Sequence, residues 1–141
     1  MAPEFLPRIL LVDDEPLILE ALRLLLEENG FACRVAANGF EALKALRPVL
    51  PDIVICDLRM PKMSGFELLP IIRRRYPQLG VIVMSSEPPE SAHAMGLPMN
   101  AYLRKGEYTA QQLIETIRAL DVHLRRKHPG SSLNRSTEEK A

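Results

Sequence analysis

Only two cysteines, Cys33 and Cys56, occur in 141 residues. That is too few for a disulfide scaffold, so the fold must be held by its core rather than by covalent staples. Both thiols sit inside apolar runs, which predicts buried, reduced cysteines of a cytoplasmic protein. The three histidines, His93, His123 and His128, are scattered. With two separated cysteines they make no zinc-binding spacing. Neither charge sign is in excess, because eighteen Lys and Arg cancel eighteen Asp and Glu. Nonspecific nucleic-acid binding draws on a basic field, so direct nucleic-acid binding is not expected. No apolar run approaches the ~18 residues that a membrane-spanning helix needs. Met1-Ala2-Pro3-Glu4-Phe5 has neither the basic start nor the cleavage pattern of a signal peptide. Internal repeats and low-complexity blocks are also missing.

What is present is one domain's worth of chain with an ordinary apolar content of 47%. At this size a compact fold buries roughly 68–70% of the surface its unfolded chain exposes. Twelve prolines are many for such a domain. Short apolar runs alternate with longer amphipathic ones. Arg8 to Val12 reads as a buried strand. From Pro16 to Asn29, Leu17, Ala21, Leu22, Leu25 and Leu26 recur at helical spacing, with Glu20, Arg23 and Glu27 opposite and Gly30 as the stop. Phe31 to Ala36 is a second strand. Gly39 to Arg47 is a second helix with Phe40, Leu43 and Leu46 inward. Asp52 to Cys56 contains Ile-Val-Ile-Cys, which reads as a fully buried strand running into Asp57. Ser64-Gly65 opens a third helix through Tyr76, and Pro70 fits it only near the first turn. Gly80 to Met84 and Met99 to Arg104 are the last strands. Pro88, Pro89, Gly96 and Pro98 cut the fourth helix to about Glu90–Met95, which predicts a short, displaced or irregular element. Thr109-Ala110-Gln111-Gln112 has capping-box spacing, before a helix with Leu113, Ile117, Leu120 and Leu124 in one stripe. Residues 1–7 read as an N-terminal extension, 8–127 as the domain, and 128–141 as a polar tail or linker.

Five strand–helix pairs imply an α/β doubly wound, five-stranded parallel sheet with helices on both faces. In the flavodoxin-like order 2-1-3-4-5 the first and third strands are neighbours at the switch point, where such sheets bind ligands. Asp13 and Asp14 end the first strand and Asp57 ends the third, so the three carboxylates should converge. Like charges about 4 Å apart repel by roughly 1 kcal/mol in water and about 4 at a protein-surface dielectric. A hard divalent cation with oxygen ligands relieves that repulsion. Blander roles exist for each acid alone. Asp14 can cap the first helix, and Asp57 can cap a turn before Met60-Pro61.

These residues, in this order, resemble the receiver domain of bacterial two-component response regulators. Leu10-Leu11-Val12-Asp13-Asp14-Glu15 is similar to the family's first strand and acidic pair. Ile53-Val54-Ile55-Cys56-Asp57-Leu58-Arg59-Met60-Pro61 is similar to its phospho-acceptor segment. Val81 to Ser86 resembles the strand that carries a Ser/Thr switch, and Ala101-Tyr102-Leu103-Arg104-Lys105 the segment with an aromatic switch and a lysine. The resemblance covers residues 8–127. It implies that Asp57 accepts a phosphoryl group from a sensor histidine kinase, a phosphotransfer protein or a small donor. It implies a Mg²⁺ held by Asp13, Asp14, Asp57 and the backbone carbonyl of Arg59. Lys105 would pair with a phosphoryl oxygen, Ser85 would turn to hydrogen-bond the group, and Tyr102 would swing inward behind it. The output would pass to a downstream protein target or a missing C-terminal output domain, with a homodimer compatible.

The chain departs from the family in two places. Gly106 replaces the usual proline after the lysine, which should loosen the loop that carries Lys105. The fourth helix is short. Both keep a pseudo-receiver adaptor, without phosphate cycling, as the alternative reading. A haloacid-dehalogenase-type phosphohydrolase needs a second aspartate where Arg59 stands. Flavodoxin-like cofactor binding lacks its phosphate loop after the first strand.

Overall fold

Three apolar runs are buried from end to end, and they form the centre of one sheet. The computed structural model describes residues 6–127. The elements are β1 (Ile9–Val12), α1 (Pro16–Glu28), β2 (Cys33–Ala36), α2 (Gly39–Leu46), β3 (Ile53–Asp57), α3 (Gly65–Arg75), β4 (Gly80–Ser85), α4 (Pro89–Ala94), β5 (Ala101–Arg104) and α5 (Ala110–Lys127). The strands are parallel in the order β2-β1-β3-β4-β5. The expected tail, 128–141, and residues 1–5 of the N-terminal extension lie outside the described residues.

Strand alternation divides the core into two layers. Leu10, Val12, Val54, Cys56, Val81 and Val83 point to one face, where Ala42 and Leu46 of α2, Leu69 and Ile72 of α3 and Ala92 of α4 cover them. Ile9, Leu11, Ile53, Ile55, Ile82 and Met84 point to the other, beneath Leu19 and Leu26 of α1 and Leu113 and Ile117 of α5. Burial on both faces is why these strands read as continuous apolar runs.

Two helical stripes hold except at their N-terminal ends: Leu22, Leu25 and Leu26 of α1 and Leu43 and Leu46 of α2 pack on the core as expected, while Leu17, Ala21 and Phe40 are exposed. In α1 the buried residues are Leu19 and Leu26, while Leu17 is 85% exposed. Its apolar face is broad, so its sequence does not choose between Leu17 and Leu19 as the residue that docks. Its first turn stands at the carboxyl edge of the sheet, where no strand lies beneath Leu17. In α2, Ala42 and Leu46 are buried and Phe40 is 57% exposed. There Asn38 caps the helix by accepting from the Glu41 N–H at 3.0 Å, which fixes the phase. The charged face of α1 is as expected, with Arg23 paired to both Glu20 and Glu27. Cys56 is fully buried, but Cys33, on the edge strand β2, is only partly covered. Burial pushes the Cys33 thiol up to about 12, so it is an inert thiol at neutral pH.

The third helix begins at Gly65, so Pro70 is its sixth residue and forfeits one helical hydrogen bond. A capping box between Ser64 and Glu67 secures the start. Thr109 and Gln112 form the expected box before α5. The fourth helix is short as expected, with six residues. Ala92 seats it on the core and Leu97 follows it in.

Gly65 ties the third helix to the end of β3. Its N–H donates to the Leu58 carbonyl at 3.0 Å. A Cβ here would stand 2.4 Å from the Asp57 carbonyl oxygen and 2.8 Å from the Leu58 Cα, both backbone atoms that cannot yield. Gly65→Ala should therefore lower stability by about 1–3 kcal/mol, the usual range for overpacking. Urea denaturation measures this, and an unchanged midpoint would refute the close approach.

Candidate functional site

The strand ends supply the acids. Val12 of β1 lies opposite Cys56 of β3, which brings Asp13 level with Asp57. Oxygens of Asp13, Asp14 and Asp57 lie within 4.8 Å of one another. Asp13 is 1% and Asp57 4% exposed, and Asp14 is partly buried. The Asp13 carboxylate also accepts from the Glu15 N–H at 2.9 Å, closing the turn into α1. Glu15, not Asp14, is the N-cap of that helix, and it makes no side-chain cap. The capping role considered for Asp14 is thereby removed. Asp57 does accept from the Arg59 N–H, but at 3.4 Å, beyond the usual range of a strong bond.

Among the described residues, Lys105 is the cation that pairs with these acids. Lys105 follows β5, and its backbone N–H donates to the Ser85 carbonyl at 2.8 Å. Its Nζ donates to Asp13 Oδ2 at 3.1 Å and Asp57 Oδ2 at 3.0 Å, with Glu15 at 4.0 Å. The carrier of Lys105 is not the loose loop expected from Gly106. The Glu107 N–H donates to the Arg104 carbonyl at 3.0 Å, and Gly106 has φ +82°. That is a type II turn, whose third position favours glycine. An Arg104–Glu107 ion pair at 3.0 Å spans it.

Electrostatics follow from this geometry. Burial pushes the Asp57 carboxyl above its ordinary range, and the Asp13 charge adds to the rise. The hydrogen bond and charge of Lys105 and the Arg59 N–H pull the other way without overcoming it. Burial pulls the Lys105 ammonium down, but its bonds to Asp57 and Asp13 outweigh that and leave it raised. The site therefore sets a carboxylate whose charge burial disfavours beside a lysine whose charge its two carboxylate partners favour.

Ser85 ends β4 next to Met84, the register partner of Asp57, and is fully buried. Its Oγ accepts from the Glu87 N–H at 3.2 Å. Tyr102 packs against the core beneath α2–α4, and its hydroxyl donates to the Glu87 carbonyl at 2.5 Å. The Arg59 side chain reaches the Glu87 carboxylate, with Nε at 2.8 Å from Oε1. The Arg59 guanidinium also lies 5.3 Å over the Phe66 ring. Sequence reasoning named Asp13, Asp14, Asp57, Lys105, Ser85, Tyr102 and Arg59, and the structure brings all of them to this edge. It missed Glu87. The available signal was opposite charge at matching places, two positions beyond Asp57 and two beyond Ser85.

The family model of the response regulator receiver domain matches residues 9–118. The chain belongs to that family. Response regulator MprA of Mycobacterium sp. (strain KMS) is 35% identical over 124 residues, which is 86% of this chain and 52% of that protein. The DNA-binding transcriptional regulator NtrC of Proteus hauseri is 33% identical over 125 residues, 87% of this chain and 26% of that protein. The chain thus spans about half, or less, of the curated relatives it matches. Among solved structures, a CheY-like receiver domain protein of Methanospirillum hungatei JF-1 superposes with a TM-score of 0.80 at 26% identity, covering 87% of this chain and 99% of that one. Response regulator TrrA of Thermotoga maritima, solved with Mg²⁺-BeF, gives 0.73 at 34% identity, covering 80% and 97%. No helix among the described residues is long and apolar enough to cross a membrane.

The donor set of this receiver domain is all oxygen, which suits a hard divalent cation such as Mg²⁺. Three carboxylates face one ammonium, so the cluster retains net negative charge to attract it. The elevated Asp57 carboxyl makes a signed prediction. Its charge opposes folding above its native pKa, and this penalty fades as pH falls through that value. Asp57→Asn should raise the melting temperature by a few degrees at neutral pH, with the gain shrinking on acidification. A melting temperature at neutral pH equal to or below that of the parent would contradict it.

Proposed function

We propose that this receiver domain, 8–127, is a phosphorylation switch whose acceptor is Asp57. The observation that carries the reading is the meeting of the Asp57 carboxylate and Lys105 Nζ at 3.0 Å within the acidic cluster. An Asp57 oxygen attacks the donor phosphorus and forms an acyl phosphate. The P–N bond of a phosphohistidine, or the P–O bond of acetyl phosphate, breaks, and imidazole or acetate leaves with the electron pair. Phosphoryl transfer runs through a loose transition state, so the protein's task is positioning and charge neutralisation. Lys105 gives up one carboxylate contact for a phosphoryl oxygen. Ser85 turns its Oγ from the Glu87 N–H to the new group, and the released β4–α4 loop carries Tyr102 with it.

Asp13, Asp14, Asp57 and the Arg59 carbonyl would hold Mg²⁺, which when bound neutralises charge on the phosphoryl oxygens. The physiological donor is a sensor histidine kinase or a phosphotransfer protein, in the cytoplasm of a bacterium. The signal passes to a downstream protein or to an output domain joined through the 128–141 segment, and pairing of two receiver domains is one route for it. The names of MprA and NtrC, a response regulator and a DNA-binding transcriptional regulator, support an output of the second kind.

Incubation with Mg²⁺ and acetyl phosphate should add one phosphoryl mass to the intact chain. Asp57→Ala should abolish it, and Lys105→Ala should slow it by about 10²-fold, the scale for losing one charge-stabilising contact. A parent protein that never gains the mass acts without phosphate cycling, as an adaptor.

A further inference from the structure

A cavity of about 270 Å³ lies between α1, the end of β4 and the turn after β5. Ala21 and Leu22 of α1 line one side, and Lys105, Gly106 and Tyr108 line the other. Met84, 1% exposed, lies at its inner end. None of Asp13, Asp14 and Asp57 borders it, so it is distinct from the acidic cluster. Its size and lining say what it would hold. A dry apolar cavity of about 150 Å³ takes one benzene ring, so this one has room for two fused rings. Its walls are almost wholly apolar. Lys105 is the one charged side chain among them, and its Nζ is committed to Asp13 and Asp57 at 3.1 and 3.0 Å. The cavity therefore meets the hydrocarbon stem of Lys105, and a charged ligand would find no free counter-charge. The polar handle is the Tyr108 hydroxyl. It donates to Met84 Sδ at 3.2 Å, a weak acceptor, and its oxygen keeps lone pairs for a donor. Burial raises this hydroxyl above its ordinary range, so it stays a neutral phenol. At Gly106 a Cβ would meet nothing within 4 Å, which leaves the mouth open on that side.

We propose that this cavity is a binding site for a small, neutral, flat heteroaromatic molecule of two fused rings, whose N–H donates to the Tyr108 hydroxyl oxygen and whose rings lie among Ala21, Leu22 and Met84. The Met84 thioether suits an aromatic ring, since sulfur packs favourably at a ring edge. The occupant is a free molecule rather than a side chain of a partner protein. The walls come from three separate elements, α1, β4 and the turn after β5, and a peptide backbone would have to follow its ring in between them. Nothing in this site draws on phosphoryl chemistry, so it stands whatever loads Asp57.

The test adds indole to the full chain and follows isotope-labelled methionine methyls by NMR. The Met84 methyl should move and saturate, while that of Met95, 66% exposed beyond α4, should stay. Ala21→Leu fills the cavity and should abolish the movement. Tyr108→Phe keeps the ring and removes the hydroxyl. It should weaken indole by about two- to tenfold, the scale of one hydrogen bond, and leave indene, which has no N–H, unchanged. An indole carboxylate adds a charge and N-acetyltryptophan amide adds a peptide backbone, and each should bind more weakly than indole. Thermal unfolding of each variant confirms that it is folded. No movement at Met84, movement shared equally by Met95, or movement that survives Ala21→Leu would overturn the site. If Tyr108→Phe affects both probes alike, or neither, the hydroxyl is not the handle. Tighter binding of the carboxylate or of the amide than of indole would overturn a neutral, free ligand.

Discussion

Mutual repulsion among Asp13, Asp14 and Asp57 is the constraint around which this edge of the fold is arranged. Parallel pairing of β1 with β3 brings an oxygen of each of these carboxylates within 4.8 Å of the others. Lys105 binds two of them at once, and to reach them it must come from the far strand, β5. The rest of the edge serves that reach. The Lys105 N–H is anchored on the Ser85 carbonyl, and the type II turn at Gly106 closes the chain behind it. Gly65 lets α3 start directly against the Asp57 backbone. A phosphoryl group and a divalent cation would redistribute the same charges rather than introduce a foreign load.

The two core layers explain how such an arrangement is tolerated. Every residue of β1, β3 and β4 is buried, with helices on both faces. A framework of that kind resists relaxation, so the acids stay converged although separation would relieve them. The connections at the carboxyl edge of this framework are short. The β4–α4 connection is the most richly linked of these. Glu87 meets Ser85, Tyr102 and Arg59 within one residue, and the six-residue α4 follows immediately.

Much of this was legible in the sequence, for reasons that differ by element. Buried parallel strands announce themselves as unbroken apolar runs, so β1, β3 and β4 and the sheet order were readable. Acids at strand ends become neighbours through topology alone, and Asp13, Asp14 and Asp57 needed no side-chain knowledge. Helix phase was less legible. The broad apolar face of α1 offers more than one stripe, and only its docking selects Leu19 over Leu17. The Gly106 turn was misjudged because glycine signals freedom in isolation, whereas here a hydrogen bond and the Arg104–Glu107 pair constrain it. Glu87 escaped notice because its contacts are set by two loops whose paths no periodicity encodes.

The central claim is that Asp57, among three crowded carboxylates, is the one that takes the phosphoryl group. Reduction of the loaded protein with borohydride converts an aspartyl phosphate to homoserine, and peptide mapping then locates it. The account predicts homoserine at position 57 alone. Homoserine at position 13 or 14, or at none of the three, would contradict it.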